Sequence, residues 1–435
     1  MIVGIVMLRF PEAMLALLLG LVVLFESSDT GLVPTAGALY DVVGHIVTPI
    51  DLLLFGALAG TLIRISSDNA NFTWPNPMSP ALWLVAVAMV AGVVTGYTAH
   101  AGVPNGELYH RAMNEVYIVV IPFIIVNLVR DTKALRTFVV AAVALASIKG
   151  LSGTYSILTG TGSSLEGATA SYLTPVGNVI CMLLVLGVVT GAVRRIRMPV
   201  WVWAGGGLAL ASLLLSYRRS FWIALIIGLI LVVIVASRYR GRAVLAIGAV
   251  VVVLGTVAIA TVGSGQTDTG NPSPLSERVQ SINPAGEDTN RGDRYRVDER
   301  KNVIANLEEH PLTGLGLGVQ WRTHYPTAEA HERDYVHFAF LWWWMALGIF
   351  GAVAYVALMG GSLLTARGVW RRHPDPLIQA AAIAVAGTVA GVVFVELTTT
   401  FTGVEPRFSI FVGALVGWLV AAWQDAGRER ERVAA

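Results

Sequence analysis

"PVWVWAGGGLALASLLLSYRRSFWIALIIGLILVVIVAS", residues 199–237, joins two apolar runs through Ser216, Tyr217, Arg218, Arg219 and Ser220. The runs 199–216 and 220–237 each have the length, about 17–25 residues, at which a helix crosses a bilayer. Neither alternates with a period of two, and lipid leaves no backbone group unpaired, so both read as membrane helices rather than barrel strands. Two adjacent cations in so short a connection cost free energy unless something uses them.

The rest of the chain extends this pattern. Of its 435 residues 55% are hydrophobic and 13% charged, with mean hydropathy +0.67, a balance that excludes an ordinary soluble protein. Net charge is +2, and the basic residues sit in short clusters between apolar runs, so no nucleic-acid partner is expected. The single cysteine, Cys181, lies inside an apolar run, which leaves no intrachain disulfide or zinc cluster. The opening "MIVGIVMLRFPEAMLALLLG" lacks the charged region and cleavage site of a secretory signal and reads as the first span.

Twelve segments qualify as spans: 8–26, 44–64, 80–99, 114–130, 136–155, 171–193, 199–216, 220–237, 243–263, 337–361, 376–399 and 407–425. The expectation is an all-α integral membrane protein with spans 1–9 in 1–263 and an extracytoplasmic loop domain over 264–336. Spans 10–12 then fill 337–425, and a basic tail occupies 426–435. Lys and Arg in short loops set the orientation. Arg9, Arg64, "RDTKALR", "RRIR", "SRYRGR", "ARGVWRR" and the tail "GRERERVAA" fall on one side, so that side and both termini are expected to be cytoplasmic. The turn at 217–219 and the long loop are then outside, and Arg218 and Arg219 stand against the charge rule.

The loop begins with a Gly-, Pro-, Ser- and Asp-rich stretch and continues as "RYRVDERKNVIANLEEHPLTGLGLG". This predicts a helix over about 293–309, with Val297, Ile304 and Leu307 as a sparse apolar stripe and an end at Pro311 and Gly314. "GLGLG" (314–318) reads as a turn after that helix rather than a phosphate loop, since no strand precedes it. Trp342–Trp344 reads as an interfacial aromatic belt. In "HERDYVH" the two histidines are six positions apart, which does not place both on one helix face as metal ligands.

Ionisable groups gather near the outer ends of the spans: Arg218, Arg219, Arg294, Arg296, His337, Glu396 and Arg407, with Lys149 inside the fifth span. Such charges must pair or line a wet cavity. Arginines grouped on one face suit a diphosphate, because the guanidinium fork binds phosphate oxygens bidentately. A histidine beside them suits removal of a hydroxyl proton near neutral pH. No acidic pair stands in an outer loop as a metal clamp. A substrate that carries its own diphosphate in the membrane plane is therefore expected, with no metal and no cofactor.

"HFAFLWWWMALGIFG" (337–351) resembles the signature of the O-antigen ligase and polymerase superfamily: His, a small polar residue, nine residues, then Gly-x-x-Gly. The match falls on His337, Gly348 and Gly351, and Phe338 stands where the family usually has Asn, Ser or Gln. "RVDERKNVIANLEEHPLTGLGLG" is similar to the family's Arg-led helix and Pro-x-x-Gly-x-Gly turn, at Arg296, Pro311, Gly314 and Gly316. "SYRRSFW" resembles its Ser-Arg step, with Arg219 the better match and Arg218 beside it.

The resemblance implies a metal-independent, inverting, GT-C-like glycosyltransferase at the outer face of a bacterial cytoplasmic membrane. Its donor would be a polyprenyl diphosphate-linked glycan and its acceptor a glycan, lipid or protein hydroxyl. Arg219, Arg296 and Arg218 would hold the diphosphate, His337 would be the general base, and Glu396, Arg294, Lys149 and Arg407 would line the cavity. Ligase and polymerase differ only in acceptor and stay open. A twelve-span transporter or lipid flippase is the alternative; against it, the halves of the chain show no similarity and the charges avoid the midplane. A receptor with the loop as its head leaves Arg218 and Arg219 unexplained.

Overall fold

A computed structural model describes residues 9–25, 38–40, 47–67, 72–99, 105–160, 163–165, 168–170, 174–235, 241, 248, 291–326 and 334–434. The expected ninth span, 243–263, and the Gly- and Pro-rich stretch 264–290 lie outside the described residues, apart from Gly248, which falls within that span. The helices are α1 (Pro11–Leu24), α2 (Pro49–Ser67), α3 (Ser79–Ala99), α4 (Asn105–Leu128), α5 (Thr132–Leu158) and α6 (Pro175–Val193). They continue as α7 (Val200–Leu214), α8 (Arg219–Val235), α9 (Arg291–Glu309), α10 (Ala339–Arg372), α11 (Pro376–Val395) and α12 (Pro406–Ala434). Strands β1 (Ser163–Leu165) and β2 (Ala168–Ala170) pair antiparallel between α5 and α6, with Ser163 opposite Ala170. This small hairpin lies within the connection from α5 to α6.

Eight described helices are long and apolar enough to cross a membrane, and α1, α7 and α8 are shorter apolar helices. The protein is a helical membrane protein. Helix starts follow local chemistry: Asp131 caps α5 by accepting from Ala134 N–H at 2.7 Å, and Asp375 caps α11 through Leu377 N–H at 2.7 Å. Residues 426–434, within the expected basic tail, continue α12 as helix.

Helix α12 packs along α4, α5 along α7, α11 along α8, and α10 along α3. Small residues permit these approaches, since lipid supplies no hydrophobic drive between helices and close packing must replace it. A Cβ on Gly228 of α8 would lie 3.1 Å from the Gly387 carbonyl oxygen of α11. The bundle brings the N-termini of α8, α10 and α12 and the C-terminus of α11 to one end, and α9 lies there too.

Helix α9 departs from the stripe expected for it. Val297 and Ile304 are exposed while Leu307 is buried. The buried face is largely polar: Tyr295, Glu299, Asn302, Val303 and Asn306. Polar burial is tolerated where each group is paired. Asn302 Oδ1 accepts from His324 N–H (2.6 Å) and Tyr325 N–H (2.7 Å), and its Nδ2 donates to the Tyr325 carbonyl (3.1 Å). Asn306 exchanges the same two bonds with the Arg322 backbone at 2.9 and 2.8 Å. The two amides thus stitch 322–325 along the helix.

Helix α10 is broken at Gly348 (φ 71°, ψ −169°), a conformation open to glycine alone. The break releases Ile349 N–H, which donates to the Leu312 carbonyl at 3.0 Å. It also leaves the Met345 carbonyl to accept from Leu315 N–H (2.7 Å) and Gly316 N–H (3.3 Å). Leu317 N–H reaches the Gly92 carbonyl of α3 at 2.9 Å. The glycine turn after α9 is therefore a backbone clasp on α3 and α10, and it supplies the partners that a broken membrane helix requires.

Candidate active site

His337 stands two residues before α10 and is one-quarter exposed. Glu299, on the buried face of α9 and fully buried, holds it twice. Glu299 Oε2 accepts the His337 backbone N–H at 2.7 Å, and Oε1 and Oε2 lie 3.0 and 3.2 Å from Nδ1. An ionised carboxylate only accepts, and the neutral tautomer that suits it carries its proton on Nδ1 and leaves the Nε2 lone pair free. Two ring edges fix the imidazole plane: Tyr335 at 4.8 Å and 89°, and Tyr295 at 5.9 Å and 87°. Burial pushes the Tyr335 phenol above its ordinary range, helped by the nearby Glu299 and Glu396 charges. It remains a neutral donor to the Thr400 carbonyl at 3.0 Å while accepting from Thr400 N–H at 2.9 Å.

The segment 396–405, between α11 and α12, is the hub. Thr400 Oγ1 donates to the Val336 carbonyl beside His337, and the Glu396 carbonyl accepts from Ala339 N–H at 2.9 Å. Glu396 itself is buried, and its carboxylate accepts from Tyr355 Oη (2.8 Å), Thr402 N–H (2.7 Å) and Phe401 N–H (3.3 Å). Its oxygens are thus engaged inside the protein, holding the turn. Trp343 Nε1 donates to the Thr402 carbonyl at 3.0 Å. Trp342 and Trp343 are core residues, 2% and 0% exposed, rather than the interfacial belt their sequence evokes. Trp344 donates to the Pro311 carbonyl at 2.7 Å and serves the clasp.

Arg219 is the first residue of α8 and half-buried; Arg218 is exposed. The turn before them needs Tyr217 in the left-handed region (φ 54°). Ser216 Oγ fastens that turn by donating to the Leu213 carbonyl at 2.7 Å. Two residues into α8, Phe221 is buried and stacks on Phe401 at 6.3 Å and 25°. The α8 N-terminus and the His337 loop therefore rest on neighbouring residues of the same hub, Phe401 and Thr400. Arg296, half-buried, shares one turn of α9 with Tyr295 and Glu299.

The other expected site residues are placed differently. Arg407 is 3% exposed, pairs with Glu405, and lies 5.7 Å from the Tyr40 ring centroid. Lys149 is buried on α5. The Arg294 side chain, His331, Glu332 and Arg333 are outside the described residues. Sequence reasoning passed over Glu299 and Arg300. The available signal was their place one turn from Arg296, on a helix with too little apolar surface to bury a face without them.

A chain in a structure titled "Structural coordination of polymerization and crosslinking by a peptidoglycan synthase complex" is similar at 17% identity and a TM-score of 0.44. The similarity covers 80% of this chain and 97% of that one. No curated protein matches. The family model described as O-Antigen ligase matches residues 204–356. That stretch runs from α7 into α10 and carries Arg218, Arg219, Arg296, Glu299 and His337. Residues 204–356 of this helical membrane protein are thus similar to the O-antigen ligase family.

Proposed function

We propose that this protein transfers a glycan from a polyprenyl diphosphate carrier to a hydroxyl acceptor, without a metal and with inversion, as an O-antigen ligase or polymerase would. The observation that carries the reading is the Glu299–His337 pair: a one-quarter-exposed imidazole whose Nδ1 is held by a fully buried carboxylate at 3.0 Å. That arrangement belongs to a general base. Nε2 takes the proton of the acceptor hydroxyl as the oxygen attacks the anomeric carbon, and Glu299 stabilises the imidazolium that forms.

The carrier leaves from the opposite face, which accounts for inversion. Its diphosphate gains charge as the glycosidic bond breaks, and Arg219 and Arg296 stabilise that charge most in the transition state. Diphosphate leaves without protonation, so no acid is required. Arg218 attracts the donor, and Lys149, Arg294, Glu396 and Arg407 shape the surrounding polar layer. In this reading the chain is a GT-C-like bundle of twelve spans, with 243–263 as the ninth. Both termini are cytoplasmic, and the site opens to the exterior of a bacterial cytoplasmic membrane.

The test is purified protein in lipid nanodiscs with synthetic polyprenyl diphosphate glycans and acceptors, products being sized by mass spectrometry. A new glycosidic bond is expected from the wild type and none from His337→Ala, Arg219→Ala or Arg296→Ala proteins that remain folded. A ladder of products identifies a polymerase, and a single addition a ligase. Full activity in His337→Ala removes the base; gradient-driven uptake without a new bond would instead identify a transporter.

A further inference from the structure

Arg300 follows Arg296 by one turn of α9, and its guanidinium lies over the ring of Phe338, the residue after His337, at 5.1 Å from the centroid. Its Nη2 donates to the Leu397 carbonyl, and its Nε is buried without an acceptor. Among the described residues no carboxylate pairs with it. The acidic side chains next to it on α9 and beside Leu397 are committed elsewhere: Glu299 to His337, Asp298 to Lys301 at 3.4 Å, and Glu396 to Tyr355 and the hub turn. A ring face and one carbonyl at the end of α11 offer partial negative charge only, about half an elementary charge for the whole helix terminus. A half-buried guanidinium keeps its charge and is costly in such a place without an anion.

Resting on the transfer reading above, we propose that Arg300 is a further phosphate ligand, binding the donor diphosphate alongside Arg296. Side chains four residues apart on a helix start about 5–6 Å apart, close enough for both guanidinium groups to reach one diphosphate. The Leu397 carbonyl and the Phe338 ring fix the guanidinium plane, leaving its remaining N–H groups for phosphate oxygens. Phe338, which breaks the polar pattern after the histidine, is then the support of a cation.

The experiment measures inorganic pyrophosphate binding by calorimetry, and kcat and KM for the lipid-linked donor, in nanodiscs. Arg300→Gln and Arg296→Gln are each expected to weaken pyrophosphate binding about ten- to hundredfold, with Tm unchanged. Arg300→Gln should raise the donor KM by a similar factor. Wild-type affinity and KM in Arg300→Gln, with loss in Arg296→Gln, would make Arg300 a structural tie and overturn the proposal alone. Unchanged binding in both variants, or no binding by the wild type, would sink the diphosphate site and Arg300 with it. Should Arg300→Gln misfold, Phe338→Leu decides: it leaves the Leu397 bond and removes the ring, and binding unweakened in that variant refutes the assignment.

Discussion

Glu299→Gln isolates the feature on which the mechanism turns. The substitution keeps volume and shape but replaces two acceptor oxygens with one oxygen and one NH2 group. The backbone N–H of His337 at 2.7 Å needs an acceptor, so the Gln oxygen takes that place and the NH2 faces Nδ1 at about 3 Å. An NH2 donates, so Nδ1 must accept and the proton moves to Nε2, the nitrogen that should receive the acceptor's proton. The imidazolium also loses its counter-charge, worth at most about 5 kcal/mol at 3 Å and an effective dielectric of about 20. General-base catalysis contributes about 10²–10⁴ in rate. A kcat loss of about 10²–10³, or about 3–4 kcal/mol of barrier, is therefore expected. Donor KM should stay within about threefold, since the arginines are untouched, and Tm should hold. Single-turnover transfer in nanodiscs, followed by mass spectrometry of the glycan, measures it. A folded Glu299→Gln protein with kcat within about threefold of wild type would refute the orientation of His337 by Glu299.

EDTA is expected to leave transfer unchanged, because in the proposed mechanism guanidinium groups take the place of a metal; inhibition reversed by added Mg²⁺ or Mn²⁺ would contradict this. Tyr335→Phe removes the bonds to Thr399 and Thr400 and should cost about 1–2 kcal/mol of stability with a smaller loss of rate; thermal unfolding checks the first and kcat the second. Gly314→Ala would put a Cβ 2.4 Å from the Met345 carbonyl oxygen at φ 64°. It should destabilise the clasp by about 2 kcal/mol or more, seen as a lower Tm; an unshifted Tm would show that the clasp is not closed as described.

The membrane class, most of the spans, the helix ending at Glu309 and the turn after it were legible in the sequence, because each is written in local signals. Apolar runs of sufficient length, a proline and a run of glycines require no distant partner to interpret. The order of Arg219, Arg296 and His337 was legible for the same reason, as three short patterns. Hydrophobic periodicity, however, reports burial only where burial is apolar, and so it chose Val297 and Ile304 for a face that the protein gives to Glu299, Asn302 and Asn306.

Those side chains are buried because backbone groups 16–38 residues away complete their hydrogen bonds, and no local pattern announces a partner so far along the chain. The same holds for Gly348, whose break is stable only because the turn after α9 supplies Leu312, Leu315 and Gly316, and for Trp343, which is core because the Thr402 carbonyl meets its indole. The sequence by itself singled out His337 and the arginines as candidates; the tertiary structure set Glu299, which no local pattern marks, against His337. Long-range pairing of polar groups is a property of the folded arrangement, with no counterpart in the order of residues.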